Sequence, residues 1–308
     1  MIGELEENSI VNCIFTTVID GWDTWCKIFH SVEVWEPLIN FILAKENLPV
    51  SKIENLHPGS NAVFKSRDYV VKIFAPPELG FYGDTNYKTE KFALDFAYSH
   101  GVPVPKLVAC GEINDKYDFP FMVMDYIDGV DFNVYSEKFT DDEKFEFGKR
   151  LRKITDAMNK PCEDFNGIDV IHNSDRDKRW KKFSARFKTE RLEYLYSHDF
   201  GEKVFVHGDL CYDNFVIDKK GDIYILDFAD AVMAPVCYEY ALVSCLFHFD
   251  EAYLRGYFGE YKTDEIVDIC FDGILIHEFG MEIIMDFAKV EEIDCLNDLR
   301  DKLWDLIK

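Results

Sequence analysis

The 308-residue chain is poor in positive charge: 34 Lys and Arg stand against 58 Asp and Glu, a formal balance of −24. That excludes a general nucleic-acid binder, which needs a basic footprint for phosphates, and docking on an anionic membrane surface. Paired cysteine spacing is missing too. Nine cysteines are scattered from Cys13 to Cys295 with no C-x-x-C pair, so neither a zinc site nor a thioredoxin-like motif is signalled, and the pattern suits a reducing cytosol. No apolar run approaches the ~18 residues of a membrane helix. Residues 1–8 are acidic with no hydrophobic signal core behind them, which predicts a cytoplasmic protein. Internal repeats and low-complexity tracts are absent. What is plentiful is apolar matter, 48% hydrophobic and 16% aromatic, too much for a disordered chain. A chain of this length buries roughly three quarters of its unfolded surface, enough for one large domain or two lobes.

Hydrophobic periodicity divides the chain. Val34, Trp35, Leu38, Ile39, Ile42 and Leu43 form a helical stripe. Phe15, Val18, Ile19, Trp22, Trp25 and Phe29 predict a second stripe before it. These stripes are either an extra layer on the main fold or a dimerisation surface. From Leu48 the texture turns to strands. Leu56-His57-Pro58-Gly59-Ser60-Asn61 is a turn-rich break, Lys65-Ser66-Arg67-Asp68 a hairpin tip, and Tyr69-Val70-Val71-Lys72-Ile73-Phe74 a strand with one lysine inside it. Residues 87–100 read as a helix with Phe92, Ala93, Phe96 and Ala97 as its stripe, stopped by Gly101. Residues 107–113 and 119–126 are further strands, the second continuously apolar and therefore interior. Beyond Thr140 the pattern is mainly helical, interrupted at 204–206, 215–218 and 223–228. The expected organisation is α+β: an N-terminal helical extension (1–47), a small antiparallel-sheet lobe with one main helix (48–127) and a larger, mainly helical lobe (128–308), hinged at 126–129.

One constellation carries chemistry. Val206-His207-Gly208-Asp209-Leu210-Cys211-Tyr212-Asp213-Asn214 precedes Ile225-Leu226-Asp227-Phe228. Phosphoryl transfer from a nucleotide needs a carboxylate to orient a hydroxyl and take its proton, oxygen ligands for Mg²⁺, and a positioned lysine. Asp209 suits the first role, and Asn214 and Asp227 the second. Lys72 stands on a strand after a candidate phosphate-covering hairpin; alone it would read as a strand-edge lysine with its head in solvent. Glu90, in the first turn of the next helix, is spaced to pair with it. His207 is expected to hold the loop by hydrogen bonding, while His172, His248 and His277 lack partners at metal-ligand spacing and read as structural or surface residues. The only basic run, Arg176 to Lys188, reads as a solvated surface helix.

These residues resemble the aminoglycoside phosphotransferase (phosphotransferase enzyme) family, a branch of the protein-kinase-like fold. The resemblance runs from about Ile53 to Tyr240. It implies ATP or GTP as co-substrate, Ser60 and backbone N–H groups at the phosphates, Met124 behind the adenine, and the Asp125 carbonyl and Ile127 N–H on the purine edge. Two departures stand out. Gly208 replaces the arginine of protein kinases, and no long activation segment or Ala-Pro-Glu motif follows Asp227, so a protein substrate is not expected. The phosphate-covering hairpin has one glycine, Gly59, instead of three.

In this architecture the acceptor binds in the C-terminal lobe. From Ala231 onward there are 17 Asp or Glu against 6 Lys or Arg, which favours a cationic acceptor. Asp230, Glu239, Glu278 and Glu282 are the candidates, the last two one helical turn apart; as alternatives they are solvated helix faces. The expected partners are therefore a nucleotide with Mg²⁺ and a small, cationic acceptor, with no nucleic acid or membrane, in a monomer or homodimer. The reading is a kinase of an aminoglycoside-like hydroxyl. Its alternatives are a kinase of a macrolide, choline-like amine, amino alcohol or sugar, or a nucleotide-binding pseudokinase scaffold.

Overall fold

The computed structural model describes residues 13–56, 59–81 and 83–308. The acidic stretch 1–8 and the His57-Pro58 part of the expected turn lie outside the described residues. By their internal contacts the residues group into two compact units.

The first unit, up to Tyr87 and then Lys106–Tyr126, is built on an antiparallel sheet. Its strands β1 (Ile53–Asn55), β2 (Ala62–Ser66), β3 (Tyr69–Ile73), β4 (Leu107–Asn114) and β5 (Asp118–Asp125) lie in the order β1-β2-β3-β5-β4. The β2–β3 hairpin turns at Arg67, whose φ is +57°, and pairs Val63 with Lys72; Lys72 is in turn opposite Met122 on β5. β5 is flanked on both sides, as its unbroken apolar sequence requires.

Helices α1 (Trp22–Ile28) and α2 (Val32–Lys45) pack on this sheet. Trp35, Leu38, Ile39, Ile42 and Leu43 of α2 are fully buried in one cluster with Phe64, Val71, Ile73, Phe119, Phe121 and Val123. The α2 stripe is thus consumed as a layer of the fold, each aliphatic side chain contributing ~1.5–3 kcal/mol. The preceding stripe is a correction. Phe15 and Ile19 are buried, but residues 15–20 form no helix or strand, and Val18 and Trp22 are exposed. Side chains take the amides of Ile14, Phe15 and Ile19. Ile14 and Phe15 donate to the Asp115 carboxylate at 2.9 and 2.7 Å, and Ile19 donates to the Tyr117 hydroxyl at 2.8 Å.

The second unit comprises Lys88–Pro105 and Ile127–Lys308. Helix α3 (Gly83–Ser99) begins four residues earlier than its pattern predicts, and its apolar stripe belongs here rather than to the sheet. Phe92 stacks on Phe165 at 4.5 Å and Phe96 on Phe205 at 4.6 Å. Most of α3 thus falls in this unit, and the two N-terminal helices fall in the first. The remaining helices are α4 (Phe132–Ser136), α5 (Asp141–Met158), α6 (Ser174–Asp177), α7 (Ala185–Ser197), α8 (Cys237–Leu246), α9 (Glu251–Phe258), α10 (Thr263–Ile276), α11 (Gly280–Phe287) and α12 (Leu296–Ile307). Thr140 opens α5 with a reciprocal capping box to Glu143.

Between them run short strands, β6 (Gly129–Asp131), β7 (Lys203–Val206), β8 (Phe215–Asp218), β9 (Ile223–Ile225) and β10 (Val232–Pro235), forming the ladders β6-β8-β9 and β10-β7. The sequence pattern misses β6 and β10; three or four residues are too few to show alternation. These ladders place the chemistry-bearing loops, since β7 ends just before His207, β8 starts just after Asn214 and β9 ends just before Leu226-Asp227. Among the described residues no helix is long and apolar enough to cross a membrane.

Truncating Trp35 to Ala should cost the chain about 3–5 kcal/mol, because the indole is fully buried. Phe41→Ala on the outer face of the same helix, where Phe41 is 42% exposed, should stay within about 0.5 kcal/mol. Denaturant unfolding of the two variants measures the difference.

Candidate active site

The loop after β7 is anchored from below. The backbone N–H of His207 donates to Glu239 Oε2 at 2.5 Å. The buried His207 ring makes two further bonds: Nε2–H donates to the Leu226 carbonyl at 2.9 Å, and Nδ1 accepts from the Asp209 N–H at 3.2 Å. One imidazole therefore ties the Asp209 loop to the strand end that carries Asp227. Gly208 has φ +82°, and a Cβ there would lie 2.3 Å from the Asp230 carbonyl oxygen. No side chain fits, which explains why the arginine of protein kinases has no counterpart here.

Asp209 is half-buried. Asn214, itself buried, donates through Nδ2 to the Asp209 carbonyl at 2.8 Å and to Asp209 Oδ2 at 3.0 Å. Those two bonds leave Asn214 Oδ1 as an oxygen donor for other use. Burial, and next the charge of Asp227, push the Asp209 carboxyl above its ordinary range. Asp227 has the left-handed φ of +54°, costly for a non-glycine residue; its Oδ1 accepts from the Ala229 N–H at 3.4 Å. Two carboxylates thus repel each other beside an amide oxygen, a donor set that suits a hard divalent cation.

The nucleotide candidates divide between the units. Ser60, Lys72, Met124 and Asp125 belong to the sheet unit; Glu90 and Ile127 belong to the helical one. Lys72 is only 3% exposed on an interior strand, which overturns the strand-edge alternative, since lysine is almost never buried without a partner. Glu90 on α3 is likewise buried, and Met124 is buried near the end of β5. Ser60 is exposed on the β1–β2 connection.

Of the acceptor candidates, Glu282 lines a pocket with Asp209. That pocket, about 210 Å³, has Tyr212, Leu242, Phe279 and Ile283 as apolar walls and Glu282 and Asp286 as its further carboxylates. Glu239 is a correction: it is fully buried under the loop, and burial pushes its carboxyl up to about 8. Glu278 is another. Helix α10 ends at Ile276 and α11 begins at Gly280, so Glu278 and Glu282 do not share a helix face. Glu278 instead pairs with Arg176 at 2.9 Å and with Arg179. The Asp230 side chain is exposed and outside the pocket; its carbonyl is what meets Gly208.

The basic run is corrected too. It breaks into α6, a 3₁₀ turn and α7, and two of its arginines are spent on Glu278. Asp286 and His248, both on the pocket, were missed. Asp286 stands four residues after Glu282 on α11, a spacing readable in the sequence once the helix start is known. His248, at φ +50° just beyond α8, had no such signal.

The Glu239 carboxyl yields a pH test. In the folded chain it keeps its proton up to about 8, whereas its ordinary value is 4.5. The folded state therefore binds more protons between those values, and the stability contributed by this group is lost as pH rises through that window. Glu239→Gln keeps an oxygen for the His207 N–H without an ionisable group. Its unfolding midpoint should fall less than the wild-type midpoint between pH 6 and 9 in thermal scans.

The sequence model of the phosphotransferase enzyme family matches residues 59–267. Solved structures with the same fold include choline kinase LicA from Streptococcus pneumoniae, with TM-score 0.56, 16% identity and coverage of 88% of this chain and 98% of that one. Amicoumacin kinase hAmiN, in complex with AMP-PNP, Ca²⁺ and Ami, has TM-score 0.54, 16% identity and coverage of 91% and 95%. The GDP complex of wild-type aminoglycoside 2′-phosphotransferase-IIIa has TM-score 0.55, 15% identity and coverage of 82% and 97%. At such identities the likeness shows the kinase-like α+β fold. No curated protein sequence matches significantly. With more than half of its length matched, from the β1–β2 connection into α10, the chain belongs to the phosphotransferase enzyme family.

Proposed function

We propose that this phosphotransferase moves the γ-phosphoryl group of ATP or GTP to a hydroxyl of a small, amine-bearing acceptor, with Asp209 as the base. The carrying observation is the pocket in which Asp209 faces apolar walls together with Glu282 and Asp286. An ammonium group would sit against those two carboxylates while the hydroxyl meets Asp209. In the transfer the acceptor oxygen bonds to phosphorus, the bond from phosphorus to the bridging oxygen of the nucleoside diphosphate breaks, and Asp209 takes the hydroxyl proton. Burial and the charge of Asp227 raise that carboxyl above its ordinary range, which makes it a better proton acceptor than an ordinary aspartate.

Asn214 Oδ1 and Asp227 would hold Mg²⁺, whose bound charge would offset that of the phosphates. Mg²⁺ bound there would complete its shell from phosphates and water. Ser60, Lys72, Glu90, Met124, Asp125 and Ile127 take the nucleotide in this reading. A pocket of about 210 Å³ is below the ~300–1,000 Å³ of most ligand sites. This favours a compact amino alcohol or choline-like amine, or one aminated ring of a larger aminoglycoside.

Asp209→Ala should lower kcat by roughly 10²–10⁴ while Mg-nucleotide binding survives, whereas Asp227→Ala should weaken that binding itself. Undiminished turnover in Asp209→Ala would contradict the mechanism. Glu282→Gln combined with Asp286→Asn should raise the KM for a cationic acceptor about tenfold or more and leave the nucleotide KM unchanged. The acceptor is found by nucleotide consumption against amino alcohols, aminoglycosides, macrolides and sugars; tight Mg-nucleotide binding with no consumption would favour the pseudokinase reading.

A further inference from the structure

Helix α1 reaches the β1–β2 connection through Trp25. Trp25 of α1 is fully buried, and its indole Nε1–H donates to the Ser60 carbonyl at 2.8 Å. The ring is held from behind: Trp25 packs edge-on against Trp35 of α2 at 5.6 Å, and Trp35 packs against Phe119 of β5 at 5.6 Å. The Trp35 indole donates to the Ile28 carbonyl at 2.8 Å, joining the two helices. The segment before α1 is fastened at the β4–β5 turn by Asp115, by Tyr117 and by Lys116, whose Nζ donates to the Thr16 carbonyl at 2.8 Å.

We infer that this N-terminal layer is a clamp on the phosphate-covering loop, with Trp25 as a positioning residue for the nucleotide. The physical link is the peptide plane. No peptide bond among the described residues is cis, so the Ser60 carbonyl and the Asn61 N–H lie on opposite sides of one rigid unit. Fixing the carbonyl with the indole fixes the direction of the Asn61 N–H, a backbone donor of the kind that binds phosphate oxygens. This accounts for a loop with one glycine, Gly59: its order comes from a bond to a neighbouring layer rather than from the loop's own sequence. The inference rests on the nucleotide reading above, in which this connection meets the phosphates.

Trp25→Phe keeps an aromatic ring and removes the donor. Benzothienylalanine at position 25 keeps the full bicyclic shape and also lacks the N–H, so it covers the case in which the phenylalanine variant fails to fold. Trp22→Phe is the control, since Trp22 is 48% exposed and packs edge-on against Phe81 at 5.5 Å. The probe is Mg²⁺ with a non-hydrolysable ATP or GTP analogue, titrated against the full chain, with amide hydrogen exchange read at Asn61.

Loss of the indole donor should raise the analogue Kd roughly three- to tenfold and speed exchange at Asn61, with the control unchanged in both. A folded donor-free variant with wild-type Kd and wild-type exchange overturns the clamp. If the wild-type chain binds neither analogue, the nucleotide reading fails. Exchange at Asn61 then still decides whether Trp25 orders the loop.

Discussion

The bond from the His207 backbone N–H to the buried Glu239 carboxyl is the constraint on which the site depends. A carboxyl with no exposed surface is expensive unless it is neutral or paired. Here burial outweighs the hydrogen bonds it accepts and favours the protonated form. From that anchor the loop is built outward. The His207 ring ties it to Leu226, Gly208 closes on the Asp230 carbonyl, and Asn214 bonds back to Asp209. The left-handed backbone of Asp227 is tolerated because the neighbouring Leu226 is held from both directions, its N–H by the Asn214 carbonyl and its own carbonyl by His207.

The surplus of acid divides into distinct physical roles. Glu239 is a buried, neutral support. Glu278 is neutralised by Arg176 and Arg179, beneath which the buried His277 stacks on Tyr238 at 4.0 Å. Burial and those arginines hold the His277 ring well below its ordinary value, so it stays uncharged. Asp115 accepts the amides that fasten the N-terminal segment. Glu282 and Asp286 remain on the pocket with Asp209, and on them the cationic acceptor of the proposal rests. The net charge of −24 excludes classes of partner, but it is the placement of two carboxylates that favours one.

Much of the fold was legible in the sequence. The α2 stripe follows from its helical repeat, the β2–β3 hairpin from its polar turn between apolar strands, and β5 from an unbroken apolar run that only an interior strand can bury. The loop motif was legible because its residues are consecutive. What escaped depends on tertiary partners. Phe15 and Ile19 have helical spacing, yet Asp115 and Tyr117, about a hundred positions away, take their amides. Glu278 and Glu282 have helical spacing, yet the break at 277–279 separates them. Glu239 reads in sequence as an acid facing the acceptor, and only the folded loop above it supplies the N–H that makes its burial tolerable. Trp25 gave no sign of its bond to Ser60, since a stripe in sequence names a buried face and not the carbonyl waiting beneath it.

Transfer of one phosphoryl group to an amine-bearing alcohol is read out most directly by ³¹P NMR. The full chain, Mg²⁺ and ATP or GTP are incubated with a panel of compact amino alcohols and aminoglycosides. The account predicts a new phosphomonoester resonance growing in equal proportion to the nucleoside diphosphate, with an amine-bearing acceptor and not with its uncharged analogue. Phosphoester formation on uncharged sugars alone, or release of inorganic phosphate with no ester, would contradict it.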